Sequence, residues 1–196
     1  MRDNTDNCYW NSKDASGTIN KTKWTYNVGV MIQNGVCLYK ITNDENYLNE
    51  AKASAQGAYG VFVRSVNGIG LAYPDHDPWF NTKLLRAYID IAPYDPNVKQ
   101  YIDVYANYIN YAYEHARTQE GFFYEDWTGK DPKRASQLLM QDAVIESYAV
   151  LALYYTLNPQ LHSRSATYIK RNGLLIRKIT IKSSRPFQCA YHPLTP

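Results

Sequence analysis

Trp24-Thr25-Tyr26-Asn27-Val28-Gly29 is the stretch on which the fold prediction rests, because it places two aromatic rings, a hydroxyl and an amide before an apolar periodic segment. The apolar side chains that follow recur every three or four residues, at Val28, Met31, Ile32, Gly35, Leu38 and Tyr39. That spacing puts them on one helical face, so a helix N-terminus is predicted at residues 24–27. Free backbone N–H groups can hold ligand oxygens there, and flat rings can stack on a sugar. The alternative is that Trp24 and Tyr26 close the end of a helical core.

Five helices are predicted in all, at about residues 25–41, 45–63, 78–92, 96–117 and 136–157. Thr42-Asn43-Asp44 suits a tight turn, so the first two helices form an antiparallel hairpin. Asp77-Pro78 and Asp95-Pro96 each supply a capping side chain, followed by the residue best tolerated at a first helical position. Residues 1–23 are polar and lack a sustained period, which predicts a long irregular connection.

The first, third and fifth predicted helices follow aromatic and polar residues, whereas the second and fourth begin plainly. We therefore predict that alternate helices present their N-termini to one common end. The helix at 96–117 is apolar on two sides, which favours concentric or stacked helical layers. Its Tyr101, Tyr105 and Tyr108 have helical spacing and are interpreted as packing between those layers.

The net charge of +3 hides an uneven distribution along the chain. Residues 1–160 contain 14 Lys and Arg against 18 Asp and Glu, a net charge of −4, whereas residues 161–196 contain 7 basic residues and no acidic one, or +7. We therefore predict a helical domain over 1–160 and a basic tail over 161–196 that is disordered, misread or foreign to that fold. Nucleic-acid binding is not expected, because the helical region is mildly acidic.

Cys8, Cys37 and Cys189 are widely separated and lack metal-ligand spacing with the histidines. The sequence therefore predicts no metal site, no cofactor and no full disulfide framework. No membrane span is expected, because no apolar run approaches the roughly 20 residues that a span needs. Residues 1–7 are too polar for a signal peptide, so the localisation is unknown from this chain.

Several short motifs follow one another in a characteristic order: Arg2-Asp3-Asn4, the stretch at 24–29, Leu38-Tyr39-Lys40-Ile41-Thr42, Asp77-Pro78-Trp79-Phe80, residues 111–117, Asp126-Trp127-Thr128-Gly129 and residues 138–143. Together they resemble glycoside hydrolase family 76, the endo-α-1,6-mannanase family, and especially its Bacteroidetes-type members, over about residues 2–157. The resemblance implies an all-α (α/α)6 toroid, in which six helical hairpins place their inner-helix N-termini around a sugar-binding cleft. It also implies mannan as the partner and an exported, cell-surface or periplasmic location.

The resemblance further implies retaining hydrolysis of α-1,6-linked mannan by two adjacent aspartates in the family's N-terminal half. This sequence contains no Asp-Asp pair, and retaining hydrolysis needs an acid and a nucleophile about 5–5.5 Å apart. We therefore expect a partial toroid of about five of the twelve helices, the C-terminal half of such a domain, which contributes to the glycan cleft but is inactive alone. A truncated or misread gene is the favoured explanation.

The alternative function is a non-catalytic carbohydrate-binding or helical interaction module. An incomplete toroid also exposes two edges that the missing hairpins would cover, which predicts self-association.

Seven residues are predicted to contact the glycan: Trp24, Tyr26, Asn27, Asp75, Asp126, Trp127 and Gln141. Trp24 or Tyr26 is interpreted as a stacking platform and Asn27 as an amide that binds hydroxyls. Asp75 can accept hydrogen bonds from sugar hydroxyls, and the aromatic loop at 121–129 can line the outer cleft. Gln141 matches a family position, where a packing or capping role is equally open.

Asp77, Lys83 and Arg86 are predicted to be structural. Asp77 is interpreted as a helix cap. Lys83 and Arg86 lie one turn apart and are expected to pair with acids across the barrel, although substrate binding is the alternative. Glu125-Asp126 is the nearest approach to paired carboxylates, but adjacent loop acids are usually solvated, so no catalytic residue is assigned.

Overall fold

The computed structural model describes residues 1–132 and 137–161. Residues 162–196 of the predicted basic tail and the predicted start of the fifth helix at Ser136 lie outside the described residues. Nothing in the structure therefore tests the division into a domain and a tail.

Within the described residues the protein is mainly helical, as predicted. The helices are α1 (Thr25–Thr42), α2 (Glu45–Phe62), α3 (Pro78–Ile91), α4 (Val98–His115) and α5 (Leu138–Leu157), followed by a 3-10 turn at Pro159–Leu161. The predicted helices all exist, with boundaries within about two residues. Of the described helices, none has the length and apolar character that crossing a bilayer demands.

Two small antiparallel hairpins are present that the sequence pattern did not predict. The first joins β1 (Trp10–Lys13) to β2 (Ile19–Lys23), so residues 1–23 are not wholly irregular. The second joins β3 (Arg64–Val66) to β4 (Gly70–Ala72). Both consist of short strands whose residues are mostly not buried, which leaves little apolar alternation to detect.

Charged side chains fix the segment that precedes β1. The Lys23 ammonium, on β2, lies 2.7 Å from an Asp3 carboxylate oxygen and 2.5 Å from one of Asp6. Asp3 also accepts a hydrogen bond from the Trp10 indole N–H. The hydrogen bond from Lys23 is the main reason why the pKa of Asp3 lies far below its usual range.

The helices form an arc of a helical toroid. Helix α1 packs against both α2 and α3, and α3 packs in turn against α4 and α5. The odd-numbered helices are therefore neighbours in an inner row, and α2 and α4 lie outside them. Trp24 at the start of α1 contacts Phe80 in the first turn of α3, so the N-termini of these helices share one end, as predicted.

Glycines let α1 approach both of its neighbours closely. A Cβ atom at Gly29 would lie 2.8 Å from the Lys83 carbonyl oxygen of α3. At Gly35, a Cβ atom would lie 2.9 Å from the Ala51 Cβ of α2. Real Cβ atoms rarely make contacts this short, so both interfaces depend on the missing side chain.

Tyrosines fill the space between the inner and outer helices. Tyr101, Tyr105 and Tyr108 of α4 are all buried, which confirms their interpretation as interlayer packing. Tyr59 of α2 stacks on Tyr101 with ring centroids 4.2 Å apart. The Tyr105 hydroxyl and the Ser147 hydroxyl of α5 share a hydrogen bond of 2.9 Å, which links the two helices.

Substitution of Gly57 tests the close contact between α2 and the N-terminal segment. A Cβ atom there would lie 1.8 Å from the Asp6 carbonyl oxygen, so Gly57→Ala is expected to destabilise the fold by about 1–3 kcal/mol. Gly60→Ala is the matched control, because nothing lies within 4 Å of its Cβ position. It is expected to be neutral or to stabilise α2 by up to about 1 kcal/mol. Urea unfolding followed by circular dichroism measures both, and equal stabilities would contradict the contact.

Candidate functional site

Two adjoining cavities lie at the common end where α1 and α3 begin. The larger encloses about 220 Å³ and is lined by Asp75, His76, Glu125, Asp126 and Asp131. The smaller encloses about 100 Å³ and is lined by Lys23, Trp24, Thr25, Phe62, Pro74, His76, Phe80 and Asn81. Because His76 borders both, they form one groove with an aromatic end and an acidic end.

Trp24 supplies part of the aromatic end. It lies in extended backbone immediately before α1 and is half-buried. Its ring meets Phe80 edge-on, with centroids 5.7 Å apart, and lies 6.3 Å from the His76 ring. The prediction placed Trp24 in a sugar-binding position, and the structure places it in the groove wall.

A buried polar link holds the Trp24 segment against α3. Thr25 donates a hydrogen bond of 3.0 Å from its hydroxyl to the Asn81 side-chain oxygen. The Asn81 amide donates in turn to the Pro74 carbonyl, 2.9 Å away. Asn81 is 1% exposed, so this link fixes the start of α1, α3 and the loop before it. The role of Asn81 was not predicted. Its partner Thr25 lies 56 residues away, and nothing in the sequence around Asn81 indicates that contact.

Tyr26 and Asn27 lie beside the groove and do not line it. The Tyr26 ring packs against Phe80, 4.5 Å between centroids. The Asn27 amide is 3.4 Å from the Asn11 side-chain oxygen on β1. Neither residue is among the described residues that line the two cavities, so both are better placed to support the groove wall than to hold a ligand.

Asp75 and His76 are exposed at the centre of the groove. One Asp75 carboxylate oxygen lies 3.4 Å from the His76 Nδ1 atom. Both side chains are more than half exposed, so the predicted contact of Asp75 with a ligand is sterically open. His76 was not among the predicted glycan contacts.

Asp77 occupies the predicted capping position, but its side chain makes no capping hydrogen bond to α3. Its backbone is left-handed, with φ of 48°, which turns the chain into the helix. The Asp77 carbonyl accepts a hydrogen bond from the Phe80 N–H, and the Asp77 N–H lies 3.4 Å from a Glu125 oxygen. The side-chain cap prediction is therefore wrong, while the structural role is retained through the backbone.

Asp126 lines the acidic end, yet its carboxylate also closes its own loop. It accepts hydrogen bonds from the backbone N–H and the hydroxyl of Thr128, at 2.7 and 2.8 Å. A third comes from the Asp131 N–H, at 3.0 Å. These bonds use much of the capacity of the carboxylate to accept hydrogen bonds, so Asp126 shapes the loop before it meets a ligand.

Trp127 lies in the core and not on the cleft surface. It is 1% exposed, and its ring packs against Tyr105 and Tyr108, with centroids 5.9 and 5.7 Å away. No ring face is open to a sugar, which corrects the expectation from the aromatic loop. The sequence alone could not distinguish an aromatic side chain that projects from the loop into solvent from one that anchors the loop to the core.

Gln141 anchors the same loop to α5. Its side-chain oxygen accepts from the Phe123 N–H at 3.0 Å, and its amide donates to the Phe123 carbonyl at 2.9 Å. The Gln141 side chain thus pairs with the Phe123 backbone in the way that a neighbouring β-strand would. Of the roles left open for Gln141, the structure supports packing and not a direct glycan contact.

Lys83 and Arg86 pair with an acid across the arc, as predicted. Both lie 2.8 Å from different oxygens of Glu146 on α5. Burial of the Glu146 carboxyl pushes its pKa upward, but the hydrogen bonds and charges of Lys83 and Arg86 outweigh this effect and lower the pKa below its ordinary value. The trio therefore holds α3 to α5.

The sequence matches the family model described as glycosyl hydrolase family 76 over residues 1–150. The chain belongs to glycosyl hydrolase family 76. No curated protein matches it.

Solved structures share this family fold. A family 76 mannosidase from Bacteroides thetaiotaomicron VPI-5482 is 24% identical, with a TM-score of 0.68, and the match covers 81% of this chain and 46% of that one. A family 76 α-mannanase from Bacteroides thetaiotaomicron is 27% identical, with a TM-score of 0.61, and the match covers 82% and 44%.

A third structure contains a ligand. It is an inactive variant of the α-1,6-mannanase from Salegentibacter sp. HEL1_6, with two consecutive aspartates changed to asparagine, in complex with α-1,6-mannotriose. This chain is 21% identical to it, with a TM-score of 0.58, and the match covers 77% of this chain and 48% of that one. The family 76 chain thus spans less than half the length of these three structures.

The described part of this family 76 chain contains no cluster of three or more side chains suited to a metal ion. Its chemically notable groups are carboxylates, one imidazole and the half-buried rings of Trp24 and Phe80. Carboxylates accept hydrogen bonds from hydroxyls, and rings cover the apolar faces of sugars. These groups are of the kinds that contact polyhydroxylated ligands.

The pH dependence of stability tests the link from Glu146 to α3. Because the pKa of Glu146 is lowered in the folded state, its ion pairs stabilise the protein fully above the ordinary glutamate pKa of about 4.3. This stabilisation disappears as the pH falls through the lower folded-state pKa. Glu146→Gln is expected to lower the free energy of unfolding by about 1–3 kcal/mol at pH 7. This loss is smaller than that expected at a fully buried pair, because Arg86 is 39% exposed. The stability of Glu146→Gln should also fall less steeply below pH 4.

Denaturant unfolding at several pH values from 3 to 7 measures this effect. Glu114→Gln is the control, because Glu114 is exposed on the outer helix α4. It should remain within about 0.5 kcal/mol of the original chain at pH 7. Parallel pH profiles for the original chain and Glu146→Gln would show that the pairs contribute nothing.

Proposed function

We propose that this chain forms part of the glycan-binding cleft of a family 76 glycoside hydrolase that acts on α-1,6-linked mannan. The single observation that carries the proposal is the groove at the shared N-terminal end of α1 and α3, with Trp24 and Phe80 at one end and acids at the other. An inner row of helices that all begin at one end gathers such side chains from distant parts of the sequence.

The chemistry of the two ends suits a neutral sugar chain. Mannose has an apolar face of C–H groups, which the rings of Trp24 and Phe80 can cover. Its hydroxyl groups can donate to Asp75 and Glu125 at the acidic end. The ligand would cross His76, which borders both cavities.

The proposed role does not include catalysis by this chain alone. Retaining hydrolysis needs a protonating carboxyl and a nucleophilic carboxyl about 5–5.5 Å apart, and the sequence has no Asp-Asp pair. Two partly buried carboxylates are already engaged: Asp126 binds its own loop and Glu146 binds two cations. The inactivity of the Salegentibacter variant, in which two consecutive aspartates are replaced, supports the need for such a pair.

The second candidate is a non-catalytic carbohydrate-binding or interaction module. The observation that favours it is the exposure of large apolar side chains along α1 and α5, among them Leu38, Ile41, Ile145 and Leu153. Such surface suits protein contact more than hydrolysis.

Titration with α-1,6-mannotriose, followed by heteronuclear NMR, tests the groove. Chemical-shift changes are expected at His76 and Trp24, and Trp24→Ala should weaken binding by about 1 kcal/mol, or roughly fivefold, through loss of ring contact. Tyr47→Ala is the control, because Tyr47 is an exposed aromatic residue on the outer helix α2. Equal weakening by both variants, or shifts confined to α2, would contradict the proposed site.

Hydrolysis of α-1,6-mannan by the 196-residue chain tests the catalytic part of the proposal. No product above the buffer blank is expected by reducing-sugar assay. Turnover that Asp75→Asn or Asp126→Asn abolishes, while Asp90→Asn on α3 retains it, would show that these acids form a working pair and that the proposed inactivity is wrong.

A further inference from the structure

His76 is the residue at which the two ends of the groove meet. It borders both cavities, and its ring meets the Trp24 ring edge-on, at an angle of 79°. Its Nδ1 atom lies 3.4 Å from an Asp75 carboxylate oxygen. The second ring nitrogen, Nε2, has no hydrogen-bond partner among the described residues. A glycan that extends from the rings to the acids therefore passes an imidazole with one open nitrogen.

The backbone on both sides of His76 is held in place. The Pro74 carbonyl accepts a hydrogen bond of 2.9 Å from the Asn81 amide of α3. The chain turns into α3 at Asp77, whose carbonyl accepts a hydrogen bond of 2.8 Å from the Phe80 N–H. The His76 side chain itself is 59% exposed. A fixed segment thus presents an open side chain, as a binding residue requires.

The larger cavity is rich in hydrogen-bond acceptors. Besides His76, its described lining residues are Asp75, Glu125, Asp126 and Asp131. A carboxylate accepts hydrogen bonds and donates none, whereas a protonated imidazole donates from both nitrogens. The hydroxyl groups of a glycan can donate to carboxylates, but its ring oxygens and glycosidic oxygens can only accept. Among the described side chains that line this cavity, His76 is therefore the one suited to donate to such an oxygen.

The described charges around His76 are mostly negative. Asp75 faces Nδ1, and three further carboxylates line the same cavity. The charged residue that lines the smaller cavity is Lys23, whose ammonium is bound by Asp3 and Asp6. Lys130 is exposed and lines neither cavity. A bound glycan displaces water from the groove, so the attraction between an imidazolium and these carboxylates is stronger in the complex than in the free protein.

We propose that His76 binds the glycan as an imidazolium, in which Nδ1 donates to Asp75 and Nε2 donates to a ring or glycosidic oxygen of the sugar chain. This role of His76 rests on the proposed function and adds to it a binding residue and a protonation state. Because the ligand binds the protonated ring preferentially, binding takes up a proton and the affinity rises as the pH falls. A neutral mannan has no titrating group, so this pH dependence comes from the protein.

Calorimetric titration of the 196-residue chain with α-1,6-mannotriose at pH 5.5, 6.5 and 7.5 tests the proposal. An ordinary imidazole is about nine-tenths protonated at pH 5.5 and about one-tenth protonated at pH 7.5. The affinity is therefore expected to be about three- to tenfold higher at pH 5.5 than at pH 7.5. Titrations at pH 6.5 in buffers with different ionisation enthalpies should show net proton uptake on binding.

Two substitutions of His76 separate its hydrogen bond from its charge. His76→Gln keeps an amide donor but cannot gain a proton, so its affinity should be the same at pH 5.5 and pH 7.5. His76→Ala removes the donor and should weaken binding at pH 5.5 by about fivefold or more. His115→Gln is the matched control, because His115 is exposed at the end of α4 and lines neither cavity. It should keep the affinity and the pH dependence of the original chain.

The outcomes distinguish this role of His76 from the proposed function. Binding that Trp24→Ala weakens, but that is equally tight at pH 5.5 and pH 7.5, would overturn the role of His76 alone. The same conclusion would follow if His76→Gln kept the pH dependence of the original chain. Absence of binding at all three pH values would overturn the proposed function together with the role of His76. A pH dependence that is lost in His76→Gln and kept in His115→Gln would support both.

Discussion

The close approach of α1 to α2 and α3 is the constraint on which the rest of the structure depends. Gly29 and Gly35 lie on different sides of α1, and each brings a neighbouring helix nearer than a side chain would permit. This distance lets Thr25 reach Asn81 and brings Trp24 against Phe80. The aromatic end of the groove therefore depends on the missing Cβ atom of Gly29 as well as on the residues of its wall.

The loop at 117–131 illustrates how residues without ligand contact still shape a site. Gln141 holds its backbone from α5, Trp127 anchors it against the tyrosines of α4, and Asp126 closes its turn. Each of these side chains looked suitable for sugar binding in the sequence. Because these three side chains are engaged inside the protein, the other residues that line the acidic end are Asp75, His76, Glu125 and Asp131.

Helical periodicity was sufficient to predict the five helices, their alternation and the interlayer tyrosines, because these features repeat locally. The pairing of Lys83 and Arg86 was also predictable, since long cations one turn apart usually meet an acid. Their partner Glu146 was not, because 60 or more residues separate the two sides. The β1–β2 hairpin was not predictable, because its short strands lack an alternating apolar pattern.

The burial of Trp127 has a consequence for the intrinsic fluorescence of the protein. An indole enclosed by protein emits at shorter wavelength than one that meets water, so its fluorescence should differ from that of the half-exposed Trp24. Two tyrosine rings lie within 6 Å of the Trp127 ring, close enough to pass their excitation to it. Excitation of these α4 tyrosines would then appear as Trp127 emission. That emission would report whether the loop is packed on α4 beneath the acidic end of the groove.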